Sequence, residues 1–109
     1  MNVVKVVRNH GGRLQTAIRK PWLISSYLLA KNLISEETHD LLSSSSQPRS
    51  KIVGEAINEV CAVLKTSRCP EEAMINFCEA LEASREPAVL NVVADMRSEA
   101  DINQPPGWF

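Results

Sequence analysis

The sequence predicts an all-α fold, six short helices packed antiparallel in one bundle, the first of them kinked or split. Three observations carry this. Pro21, Pro48, Pro70 and Pro87 each precede a run of helical periodicity, and proline suits a first helical position because its missing N–H would lack a partner there. Apolar residues in those runs return to one side of a helical wheel. Only VVKVV, at 3–7, reads as a strand. Nothing strand-like exists to pair with it, and a lone strand is not stable.

The first helix is expected over about 3–19. Gly11 and Gly12 lie inside it, each costing about 1 kcal/mol relative to alanine, so a bend or break is expected between pieces at 3–9 and 13–19. The second, 21–31, is apolar nearly all round (Trp22, Leu23, Ile24, Tyr27, Leu28, Leu29), the composition of a helix in the middle of a bundle. Trp22 is read with it as a packing residue. The third, 35–43, starts at Ser35, an N-cap followed by Glu36 and Glu37. Thr38 stands where a glutamate would complete a capping box.

The fourth helix, 48–65, has the clearest stripe: Ile52, Val53, Ala56, Ile57, Val60, Cys61 and Leu64 on one half of the wheel, Lys51, Asn58 and Lys65 on the other. In the fifth, 70–84, Met74, Phe77, Cys78 and Leu81 share a face, and Glu71 and Glu72 suit the positive end of the helix dipole. The sixth, 87–97, repeats the pattern with Val89, Val92, Val93 and Met96. The serine run 43–46 is a loop. Residues 1–97 form the domain and 98–109 a linker or tail, with Trp108 and Phe109 either free or folded back onto the bundle.

A chain of 109 residues makes one domain, and it buries roughly two-thirds of its unfolded surface, enough to fold without staples. With a net charge of -1 and a pI of 6.1, no global field favours DNA or an anionic membrane. Any electrostatic function must come from local patches. The N-terminus is broken by Lys5 and Arg8 and does not read as a signal peptide. No stretch approaches the roughly 20 apolar residues of a membrane span. Three cysteines without an export signal point to a reducing, cytoplasmic or nuclear compartment. Cys61 and Cys78 read as small core residues and Cys69 as a junction residue. Their spacing offers no zinc site. Neither His10 nor His39 has the context of a catalytic base, and there is no glycine-rich phosphate loop. The expectation is a protein with no enzymatic activity and no cofactor.

Three segments carry a resemblance: YLLAKNLISEETHDLL at 27–42, PRSKIVGEAINEVCAVL at 48–64 and NFCEALEASREPAVLNVV at 76–93. Together they resemble the death-fold superfamily, and within it a caspase recruitment domain. The apolar pair Leu33–Ile34 before the Ser35 cap, the basic start of the fourth helix at Arg49 and Lys51, and the Phe77–Leu81 step match that family over about 90 residues of hydrophobic spacing. The Arg-x-Asp-Leu triad of the sibling death effector domain is absent. The resemblance implies a Greek-key helical bundle. It implies a partner bearing the same fold (a second copy, an adaptor or a caspase) in apoptosis or innate-immune signalling in the cytoplasm. It implies no small-molecule ligand and no membrane.

Glu36, Glu37 and Asp40 span about 100° of the third helix. They are either a solvated face with helix-dipole charges or an acidic docking patch. In the resembled family an acidic surface of helices two and three meets a basic surface of helices one and four of the next molecule. Basic candidates here are Arg13, Arg19, Lys20, Arg49 and Lys51, with Lys65 at the far end of its helix. The alternative function is a small helical nucleic-acid-binding domain using Arg8, Arg13, Arg19 and Lys20 on phosphates. Near-neutral charge and the lack of a dense basic helix speak against it. A third reading is an inert scaffold that stays monomeric.

Overall fold

The computed structural model describes residues 3–44 and 47–100. Expectations for Ser45, Ser46, Trp108 and Phe109 fall outside the described residues. Six helices form: α1 (Val3–Ala17), α2 (Trp22–Ala30), α3 (Glu36–Ser44), α4 (Arg49–Thr66), α5 (Pro70–Glu82) and α6 (Pro87–Ala100). There is no strand among the described residues. Pro70 and Pro87 take the first helical position, while Pro21 and Pro48 stand one residue ahead of theirs.

Pairs of touching residues give the packing directions. Gly11 faces Ile57 and Gln15 lies over Gly54, so α1 and α4 run antiparallel. His10 meets Glu99 and Arg13 meets Asp95, so α1 and α6 do too. The core is the meeting of the predicted stripes. Leu14, Ile52, Val53, Val60, Leu64, Met74, Phe77, Leu81, Val93 and Met96 are all buried.

Ser43 and Ser44, expected in a loop, are the last residues of α3 instead, and three larger expectations also give way. First, α1 is not split: it is helical through both glycines. Gly11 packs against α4 and Gly12 faces open space. The tertiary contacts of Val3, Val6, Val7, Leu14 and Ala17, all buried, outweigh a propensity penalty of about 2 kcal/mol.

Second, α2 is peripheral. It packs only on α3 and α5, while α5 touches α1, α2, α4 and α6. Ile24, Ser25 and Leu28 are buried, but Trp22, Leu23 and Tyr27 stand 53%, 37% and 51% exposed. Trp22 is therefore not a core residue. Two neighbours cover only one stripe of the helix.

Third, α6 outruns its expected end. Ala100 continues the Val89–Val92/Val93–Met96 stripe and is buried. Arg97 is buried with it and donates from Nε and Nη2 to Glu82 at 3.2 and 3.0 Å. A fork of this kind satisfies a buried guanidinium.

The turn after α2 is a Schellman motif. Leu33 N–H donates to Leu28 O at 2.9 Å and Asn32 N–H to Leu29 O at 3.0 Å. Asn32 holds φ 59, the left-handed C′ position where asparagine substitutes for glycine. Leu33 and Ile34 then turn into the core. This directs the chain into α3.

Candidate functional site

The third helix is nine residues long, too short to be stable alone in water. Its start is held from two sides. Thr38 N–H donates to Ser35 Oγ at 3.2 Å, the expected N-cap bond. The carboxylate of Glu59, on α4, accepts from Ser35 N–H and from the Thr38 hydroxyl. Glu59 thus supplies from a neighbouring helix the reciprocal bond that Thr38 cannot make in a capping box. Thr38 and Leu42 are buried and Leu41 is half-buried. The other side of the helix carries Glu36, Glu37 and Asp40, all exposed. Asp40 is 82% exposed and lies 3.5 Å from His39 Nδ1. Among the described residues no arginine or lysine pairs with any of the three.

The five expected basic residues divide. Arg13 is engaged inside the monomer: its Nη1 donates to Asp95 Oδ2 at 2.8 Å and to His10 Nδ1 at 3.1 Å. Arginine has only donors, so Nδ1 of His10 must accept. The ring hydrogen then sits on Nε2 and is donated to Glu99 Oε2 at 2.6 Å. That bond holds the Glu99 carboxyl below the usual carboxylate range. The α1–α6 seam is therefore a closed relay, Asp95–Arg13–His10–Glu99, and Arg13 belongs to it.

Arg19, Lys20, Arg49 and Lys51 are exposed, and none is in an ion pair among the described residues. Glu86 accepts from the backbone N–H groups of Arg19 and Lys20 at 3.2 and 3.1 Å, fixing the α1–α2 link. Arg19 and Arg49 line one cleft of about 390 Å³ with Pro21, Trp22, Leu41 and Ile52. Lys51 lies outside it. Ser43 and Ser44, at the end of α3, also line the cleft. Along α3 the cleft-lining Ser43 and Ser44 lie roughly 5 Å of helix rise beyond Asp40 and roughly 10–12 Å beyond Glu36 and Glu37, and no ion pair joins the three carboxylates to Arg19 or Arg49 among the described residues.

The remaining chemistry is sparse. Burial raises the Cys61 thiol and pushes that of Cys78 up to about 11. Cys69 is exposed. Among the described residues no group of three or more His, Cys, Asp or Glu side chains could hold a metal ion, and no helix is long and apolar enough to cross a membrane.

Sequence reasoning did not find Glu59, Glu86 or the His10–Glu99 contact, because each joins residues far apart in the chain. No local spacing signals them. No protein-family model, curated protein or solved structure matches the chain.

Proposed function

We propose that this protein is an interaction module of the death-fold type, resembling a caspase recruitment domain, that binds a domain of its own kind: a second copy, an adaptor or a caspase. One observation carries the reading. Three exposed carboxylates on α3 and four exposed cations around α1–α2 and the start of α4 have no opposite-charge arginine, lysine or carboxylate partner among the described residues. An exposed ion pair is worth about 0–1 kcal/mol, so several must form together. Such patches choose partners and speed encounter more than they add affinity. If the carboxylates of one copy meet the cations of the next, copies join head to tail, and a rotation that does not close gives a filament. The role in apoptosis or innate-immune signalling rests on the resemblance alone.

Sedimentation and electron microscopy across salt concentrations test the proposal. Assembly is expected in low salt and is expected to dissolve as salt rises. Asp40→Lys and Arg49→Glu should each abolish assembly with the fold intact, and mixing the two variants should restore a one-to-one pair. Wild-type assembly by Asp40→Lys in low salt overturns the patch assignment. A low-salt gel shift with nucleic acid but no self-association would favour the nucleic-acid reading instead.

A further inference from the structure

The outer face of α2 presents Trp22, Leu23, Ser26, Tyr27 and Ala30 to solvent. It carries no charge. At 100° per residue these five fall within about 140° of the wheel, so they form one continuous strip. Its three large side chains are the most exposed large apolar groups described apart from Leu90. Cations collar its N-terminal end. Arg19 and Lys20 lie just before the helix, and Arg49 lines the same cleft as Trp22. The nearest carboxylate along the α1–α2 link, Glu86, is already occupied by two backbone N–H groups. Lys31, at the other end, is paired with Glu79 at 3.3 Å.

We propose that this face docks peripherally on an anionic lipid bilayer, with Trp22, Leu23 and Tyr27 at headgroup depth and Arg19, Lys20 and Arg49 on the lipid phosphates. Composition and shape both favour a bilayer. Trp and Tyr are amphipathic rings that settle at the membrane–water interface. Arg and Lys beside an anionic leaflet gain roughly 1 kcal/mol each. The strip lies on the outside of a helix, and of its five residues only Trp22 lines the neighbouring cleft. Three side chains bury far less than the roughly 800 Å² per partner of a standard protein interface, but a fluid bilayer conforms to what is inserted and needs no matching pocket. The net charge of -1 supplies no attraction for the whole molecule. The attraction is local, from charges gathered at one end of α2.

The test is co-sedimentation of the full chain with vesicles of phosphatidylcholine alone and of phosphatidylcholine mixed with phosphatidylserine. A Trp108→Phe variant leaves Trp22 as the sole tryptophan and reports insertion by fluorescence. Binding to the mixed vesicles, little binding to the neutral ones and a blue shift of Trp22 emission are expected. Neutralising Arg19 or Arg49 to Gln should weaken binding about fivefold each. Trp22→Ser should weaken it at least about tenfold. All these side chains are exposed, so circular dichroism should stay unchanged. No pelleting with anionic vesicles overturns the proposal. Undiminished binding by a folded Trp22→Ser/Tyr27→Ser variant overturns it too. So does loss of self-association by that variant with no vesicle binding by the wild type, which would assign the face to a protein contact.

Discussion

Glu59 shows how much can rest on one carboxylate. Its two acceptor oxygens take the Ser35 N–H and the Thr38 hydroxyl. Removing it leaves an orphan donor at the start of α3 and takes away that helix's polar tie to α4. Glu59→Ala should therefore cost about 1–2 kcal/mol, read as a Tm lower by roughly 5–10 °C in thermal unfolding. An unchanged Tm would show that water replaces Glu59 there at no cost. Sequence spacing could not have found this residue, because it lies 24 positions from Ser35. The same limit applies to Arg13. The sequence places it among the basic candidates, but its engagement by Asp95, 82 positions away, takes it into the α1–α6 seam instead. Glu36, Glu37 and Asp40 were legible because one short amphipathic helix suffices to place them.

Among the elements, the α1–α6 seam is where acid is expected to act. Hydrogen bonding by His10 holds the Glu99 carboxyl below its ordinary value of 4.5. A depressed folded value means that the contact stabilises the fold above that pH and loses its contribution as pH falls through the lower folded value. The gap in Tm between the wild type and Glu99→Gln should be fully present near neutrality and shrink below about pH 4.5. A gap that widens with acid would mean that Glu99 does not depend on His10. The helices themselves were largely legible. Prolines and the Ser35 cap mark the starts of α2 to α6, and each apolar stripe chooses its buried side without reference to anything distant. The position of α2 was not, because an all-round apolar helix is equally consistent with the centre of a bundle and with an outer helix bearing an exposed strip. What decides is how many helices surround it, a property of the assembled chain. The glycines of α1 misled for the opposite reason: propensity is local, and the packing that overrides it is not.

Taken whole, the molecule divides into an inert interior and a charged exterior. Burial raises the thiols of Cys61 and Cys78, whereas Cys69 is exposed. Since the thiolate is the reacting form, an aromatic disulfide reagent should titrate one of the three cysteines in the native protein and the other two only on unfolding. Prompt reaction of all three would mean that the core opens far more readily than its packing implies. Outside, the carboxylates sit on α3, a segment whose start is bonded to α4 through Glu59. A severed or half-unfolded chain would therefore present no coherent carboxylate triplet to a neighbour. Under the head-to-tail assembly proposed above, only an intact copy would be admitted to a growing chain, and the clasp at Glu59 would make each addition a check on the folding of the newcomer.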